Sequence, residues 1–385
     1  MKVYITAGEP SGDKLGAALM EGLRARVPEV QFTGIGGERM IGQGLESLFP
    51  MDEISIMGIT EILRQYGKLK ARIRETAEAV IAAKPDVLIT VDLPEFSLRV
   101  AELVKARSDI RVVHYVAPTV WAWRPKRATK MARHVDQVLA LLPFEPPYME
   151  AAGMRCDFVG HPVVTEPQAG AEDVAAFRQR HDLGDAPLAL ILPGSRRSEV
   201  SRLAPVFGEV VARLKQQRPA LRFVLPAAAP VAQMVEELCA GWAEPPLVLD
   251  PRELGDGMAA EKRAAFAAAD VALAASGTVS LELAAAGTPM VVAYDMGWLS
   301  REVIGRMLLV DTVTLVNLVS ETRAVPEFIG KACRPAPIAD ALLSVLEAPQ
   351  AQVDAMALTM ERLGRGGAHP GDRAAQAVLE GLGRG

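Results

Sequence analysis

Four polar clusters each follow a buried apolar run directly, which is where chemistry is usually placed in α/β chains. Gly8-Glu9-Pro10-Ser11-Gly12-Asp13 follows VYITA, and Asp92, with Glu95 beyond it, closes the run VLITV. Pro193-Gly194-Ser195-Arg196 follows LALIL and leads to Glu199. Ser276-Gly277-Thr278 ends a fourth run, with Glu282 four residues after Thr278. A strand that delivers Gly and Ser to a helix start presents backbone N–H groups to an anion. An arginine there adds a forked donor for phosphate. Glu282 falls one helical turn beyond its helix start, where a carboxylate can accept two ribose hydroxyls while the helix end faces phosphate.

Each cluster also has a plainer reading. A strand–helix turn with a surface arginine, or a Ser/Thr cap with a solvated glutamate, gives the same letters. Gly194–Arg196 and Ser276–Glu282 in the same half make a nucleotide site the better reading. Glu9 and Asp13 carry negative charge at an otherwise similar turn, so that turn repels phosphate. Asp92 ends a buried strand at the expected cleft edge. Burial there tunes a carboxyl toward general-base work, and Asp92 is the candidate base.

Two further stretches are basic. YVAPTVWAWRPKR (115–127) holds Trp121 and Trp123 with Arg124, Lys126 and Arg127, either a solvated face or a rim for an anionic headgroup. In 54–74, Ile59, Ile62, Leu63, Tyr66, Leu69 and Ile73 follow helical spacing among Arg64, Lys68, Lys70, Arg72 and Arg74. A basic amphipathic helix reads as membrane-surface binding, and a helix packed on its own sheet looks the same. His114 and His161 read as buried, hydrogen-bonded histidines. With no HExxH and no zinc spacing, neither a metal nor a cofactor is expected.

The elements that position these residues follow from the patterning. Apolar runs at 3–8, 32–37, 87–92, 112–118, 138–144, 158–162, 188–194, 222–228, 246–250, 271–276, 290–295 and 312–317 are near-continuous rather than alternating. That pattern fits parallel strands covered on both faces, joined by helices in right-handed crossovers. The fold class is α/β: two facing Rossmann-like domains with a cleft between them. The expected boundaries are 1–165, 166–345 and closing helices over 346–385 that pack back on the first domain, with a linker near 163–186.

Composition bounds the rest. The 385 residues are 50% hydrophobic and 23% charged with net charge −5, a folded chain without the basic excess of a duplex nucleic-acid binder. Its three scattered cysteines form no metal spacing and suit a reducing compartment. The start reads as a strand rather than a signal peptide, and no run of 18 apolar residues appears, so a cytoplasmic location is expected. A dehydrogenase is disfavoured, because 7–13 lacks GxGxxG.

An ordered set of motifs then resembles the lipid-A-disaccharide synthase family of GT-B glycosyltransferases. It comprises AGEPSGD (7–13), GIGGERM (34–40), IMGITEIL (56–63), VDLPEF (91–96), HYVAPTVWAWRPKR (114–127), LPFE (142–145), FVGHP (158–162), LPGSRRSE (192–199), SGTVSLE (276–282), PMVVAY (289–294) and LVNL (315–318). It covers nearly the whole chain, and WAWR with the LPGSR…SGT…LE series is specific in combination. The resemblance implies an inverting hexosyltransferase. It joins UDP-2,3-diacylglucosamine to 2,3-diacylglucosamine 1-phosphate, giving a β-1,6 disaccharide and UDP. It implies UDP contacts at Gly194, Ser195, Arg196, Ser276, Gly277, Thr278, Glu282 and Asn317, and acidic acceptor-side positions at Glu9 and Asp92. It also implies a peripheral inner-membrane protein, with Ile59, Leu63, Tyr66, Lys68, Lys70, Arg72, Arg124, Lys126 and Arg127 toward acceptor and lipid, and a homodimer as one possible assembly. The family usually shows PDF where this chain has Pro94-Glu95-Phe96, and SPS where it has Ala117-Pro118-Thr119. Asp92 is retained. Other expectations from the same architecture are a UDP-N-acetylglucosamine 2-epimerase or a cell-wall glycosyltransferase, and, from another class, a nucleotide-responsive membrane-surface module without turnover.

Overall fold

The computed structural model describes residues 1–55, 59–297 and 309–384, with residues 59–65 described by their backbone alone. The chain forms two compact units, 1–162 with 366–385, and 163–365. The first unit thus ends three residues before the expected 165.

The first unit holds β1 (Lys2–Ala7), β2 (Gln31–Ile35), β3 (Glu46–Ser47), β4 (Val87–Val91), β5 (Arg111–Tyr115), β6 (Gln137–Ala140) and β7 (Arg155–Phe158) in the order β3-β2-β1-β4-β5-β6-β7. The second holds β8 (Leu188–Leu192), β9 (Arg222–Pro226), β10 (Leu247–Leu249), β11 (Val271–Ala274), β12 (Met290–Tyr294) and β13 (Glu327–Ile329) in the order β10-β9-β8-β11-β12-β13. Every pairing is parallel. Parallel strands need helical crossovers, so both faces are covered, and the central strands are buried throughout. Each sheet reverses its winding once, between β1 and β4 and between β8 and β11. Open α/β sheets bind ligands at such switch points, beyond the carboxyl ends of the strands.

One expected strand is not one. The apolar run 312–317 is a loop entering the helix Leu315–Ser320. Glu327 gathers the loop: its carboxylate accepts from the N–H groups of Val313 and Thr314, at 2.9 and 2.7 Å, and from the hydroxyls of Thr312 and Thr314, at 2.6 Å each. The strand in this region is β13, which Glu327 itself begins.

The closing helices divide between the units. Gln350–Arg362 stays in the second, where Gln352 accepts from Met290 N–H at 2.7 Å and donates to Met290 O at 2.9 Å, bonding both ways to β12. Pro370–Gly381 lies on the first unit, against the helix Pro10–Arg26. Small residues allow that approach: a Cβ on Gly371 would stand 2.6 Å from Ala18 O. Arg26 pairs with Asp372 at 3.0 Å and Arg155 with Glu380 at 2.9 Å around the seam.

Candidate functional site

The two switch points collect the four strand-end clusters singled out from the sequence. In the second unit, β8 delivers Gly194-Ser195-Arg196 and β11 delivers Ser276-Gly277-Thr278. These residues line one pocket of about 400 Å³ with Glu199, Lys262, Phe266 and Glu282. Gly194 has φ +111, a backbone that favours glycine, and an added Cβ would stand 2.6 Å from the Glu199 carboxylate. Glu199 braces the turn, accepting from the N–H groups of Ser195 and Arg196 at 3.2 and 3.3 Å. Those two donors are therefore engaged within the loop. The Arg196 guanidinium touches Glu199 at 3.3 Å but is 72% exposed, so it remains able to reach a ligand.

The second helix start is more open. Gly277 has φ +154, nothing lies within 4 Å of where its Cβ would stand, and Gly277 and Thr278 are exposed. The helix Val279–Ala286 begins there with a tightened first turn, in which Ser280 and Leu281 N–H donate to Gly277 O and Thr278 O at 3.3 and 2.9 Å. Glu282 sits in the first turn and pairs with Lys262 at 2.6 Å. Lys262 comes from the helix Met258–Ala268, twenty positions earlier, and nothing local in the sequence marks it. Its ammonium also lies 5.1 Å from the Phe266 ring centroid.

Asn317 is not brought into this pocket. It is fully buried, and its amide is engaged on all sides. Oδ1 accepts from Val325 N–H at 3.0 Å, while Nδ2 donates to Val325 O at 2.9 Å and to Thr312 Oγ1 at 3.2 Å. Because 312–317 is a loop and helix rather than a strand, Asn317 pins that loop instead of projecting from a strand end.

In the first unit, Glu9 follows β1 and Asp92 follows β4, on the two sides of the switch point. Glu9 is half-buried at the N-cap of Pro10–Arg26, without a side-chain capping bond. Asp13 has a structural task. It is buried, and it accepts from the N–H groups of Gly37, Arg39 and Met40 at 2.8, 3.0 and 3.1 Å, capping the neighbouring helix Glu38–Gly42.

Asp92 and Leu93 both have positive φ, +50 and +46. Two consecutive left-handed non-glycine residues cost about 1–3 kcal/mol each, and such strain gathers at functional sites. The turn is held by Asp92 N–H donating to Tyr115 O at 2.9 Å and by Ser97 Oγ donating to Asp92 O at 2.7 Å. Burial raises the Asp92 carboxyl above its ordinary 3.8, opposed in part by the Leu93 N–H. Two strands away from β1, His114 is buried with Nδ1 2.8 Å from Thr90 Oγ1. Burial first, and the Arg127 charge second, press its pKa down to about 4, so it is neutral at pH 7.

The basic stretches separate. Arg124 is exposed with its guanidinium 4.3 Å from the Trp123 ring centroid, Lys126 is exposed, and Arg127 lies 3.4 Å from Glu95. Trp121 is in the core. On the helix Ile59–Ala83, Leu69 and Ile73 are buried against the sheet beside Val80 and Leu88, which is the packing reading of that stripe. Arg72 is engaged by Glu53 and Glu75, at 2.6 Å each, and stacks 4.3 Å from the Phe49 ring, while Lys68 reaches Glu53 at 3.1 Å. Tyr66 and Lys70 are exposed. The side chains of Ile59 and Leu63 lie outside the described residues.

Taken together, the two parallel sheets, each with one switch point, define a GT-B-type fold. A crystal structure of UDP-GlcNAc 2-epimerase from Neisseria meningitidis bound to UDP-GlcNAc shares this fold, with TM-score 0.66 at 14% identity and full coverage of both chains. Residues 3–379 match the family model for lipid-A-disaccharide synthetase. A lipid-A-disaccharide synthase from Ruegeria pomeroyi is 63% identical, covering 99% of this chain and 96% of the relative. One from Rhodospirillum centenum is 46% identical, covering 98% and 94%. The chain belongs to the lipid-A-disaccharide synthase family and is a hexosyltransferase of lipid A biosynthesis. Its substrates are accordingly a UDP-sugar and a phosphorylated sugar. The epimerase reading, which the shared fold alone would permit, is not favoured. Among the described residues, no helix is long and apolar enough to cross a membrane.

Proposed function

We propose that the second unit holds the UDP of a diacylglucosamine donor while the first carries the base that activates the 6-hydroxyl of 2,3-diacylglucosamine 1-phosphate. The observation that carries this reading is the β8/β11 switch point. There an exposed arginine, an open helix start and a carboxylate occur around one pocket large enough for a nucleotide.

Asp92 takes the hydroxyl proton as the 6-oxygen attacks C1 of the donor from the side opposite UDP, so the α-linked donor gives a β-linked product. The strained turn fixes the carboxyl, and its burial raises its affinity for the proton. Glu9, across the switch point, receives acceptor hydroxyls. Arg196 and the helix start at Ser276–Thr278 stabilise charge on the departing diphosphate, work that a metal does elsewhere. Glu282 receives the ribose hydroxyls, with Lys262 fixing its carboxylate. Arg124, Lys126 and Arg127 form a rim for the acceptor 1-phosphate. Tyr66 and Lys70 face acyl chains and anionic lipid at the inner-membrane surface.

The test is release of UDP and disaccharide from the two acylated substrates in detergent, with and without EDTA. Turnover in both is expected. Turnover with UDP-N-acetylglucosamine in place of the acylated donor would overturn the substrate assignment, and loss with EDTA would overturn the metal-free step.

A further inference from the structure

One buried acid stands outside this scheme. Glu145, at the end of LPFE, is 3% exposed. Its Oε2 accepts from Leu142 N–H at 3.0 Å and its Oε1 from the Trp121 indole N–H at 3.3 Å. Its neighbour Phe144 meets the same indole edge-to-face, with centroids 5.1 Å apart. Phe144 and Glu145, in the loop after β6, therefore grip Trp121 by its ring and by its N–H. Trp121 is the buried anchor of the loop that carries Arg124 and leads into the helix Lys126–Met131, which carries Lys126 and Arg127.

The helix that this loop enters meets the helix that follows Asp92. Arg127 lies 3.4 Å from Glu95, in the first turn of the helix Pro94–Lys105, and Glu95 is three residues from Asp92. The Arg127 charge is also felt at buried His114, in the strand next to β4. A shift of the Trp121 anchor thus moves Arg124 and the start of the helix that carries Arg127, whose partner Glu95 lies in the first helical turn after Asp92. A carboxyl buried on N–H donors alone is costly unless it serves something. Burial lifts its pKa to about 7, and the titratable neighbour that senses its charge, Cys156 on β7, is itself pushed up by burial and stays a neutral thiol.

We propose that Glu145 is a positioning residue for acceptor binding: through Trp121 it fixes the loop 117–125, and with it the start of the helix Lys126–Met131, so that Arg124 and Arg127 are preset for the acceptor phosphate. This rests on the rim reading above, and the test separates the two. Donor and acceptor KM are measured on the full chain with Trp121→Phe, Glu145→Gln, the double variant and Arg127→Ala. Trp121→Phe keeps the ring and removes the donor. Glu145→Gln keeps the size but sets an amide N–H against a donor. Each single variant is expected to raise acceptor KM about tenfold with donor KM within about twofold, as one lost bond to a charged group would. The double variant is expected to be no worse than the singles, since both break one bond. If Trp121→Phe leaves acceptor KM unchanged while Arg127→Ala raises it, the positioning role is overturned and the rim stands. If Arg127→Ala also leaves it unchanged, the rim reading falls as well. If donor KM and kcat worsen in parallel with acceptor KM and the melting temperature, Glu145 is merely structural and the proposal fails. Should Glu145→Gln not fold, Trp121→Phe decides alone.

Discussion

The turn after β1 and the turn after β8 occupy equivalent places in two similarly wound sheets, yet they are wired differently. After β1, the buried carboxylate of Asp13 reaches sideways and caps another helix, Glu38–Gly42. After β8, Glu199 folds back on its own turn and takes the N–H groups of Ser195 and Arg196. In both turns an acid organises the backbone. In the second it also leaves an exposed guanidinium at the sheet edge; the first carries Glu9 at the corresponding place. One framework therefore presents a cation at one turn and carboxylates at the other, and the proposed function assigns the donor phosphate to the first and the reactive hydroxyl to the second.

That contrast can be broken most severely at the base. Asp92→Asn is expected to lower kcat about 10²–10⁴-fold with an unchanged melting temperature. Near-native turnover would remove Asp92 from its role. In the native enzyme the acid limb of the kcat/KM profile is expected above the ordinary carboxyl value of 3.8, because burial raises the Asp92 carboxyl. Arg196→Ala follows, with a loss of roughly 10²–10³-fold in kcat, comparable to removing one charge-stabilising donor. Single-turnover rates at saturating donor would show it.

Two stability measurements sharpen the same comparison, each on one buried polar side chain, Glu145 in the first unit and Asn317 in the second. Glu145 goes from an ordinary 4.5 to about 7 on folding. Its protonated form is the one the fold favours, so its contribution is full below about 4.5 and is lost as pH rises toward 7. Over that window the native chain should lose about 3 kcal/mol relative to Glu145→Gln, read from paired denaturant curves at several pH values. A pH-independent difference would contradict the burial. Asn317→Ala should cost on the order of 2 kcal/mol, because Val325 N–H and O lose their partners, and the cost should not vary with pH. Donor KM should stay within about twofold, whereas a large rise would return Asn317 to the nucleotide site.

Much of this is legible from local pattern. Continuous apolar runs mark the central strands, because strands covered on both faces show no alternation. The strand-end positions of Asp92, Gly194–Arg196 and Ser276–Thr278 are legible for the same reason. The run 312–317 misleads because its mostly apolar or β-branched residues fit a strand and a helix start equally. The deciding partner, Glu327, lies ten residues beyond it. Asn317 is misplaced along with that run. Lys262 is invisible, since its relation to Glu282 exists only once two helices pack. Arg72 and Lys68 look like headgroup ligands in the sequence, but Glu53, from a separate loop, holds both. Glu145 reads as an ordinary loop acid, because burial of a single polar residue leaves no periodic signal.

The central claim is that the two turns divide the labour, nucleotide on the cationic one and proton transfer beside the acidic one. Calorimetric titration of UDP into Arg196→Ala and Asp92→Asn tests it directly. The division predicts that Asp92→Asn binds UDP as the native chain does, while Arg196→Ala loses about tenfold or more in affinity. Equal weakening in both variants, or loss confined to Asp92→Asn, would contradict it.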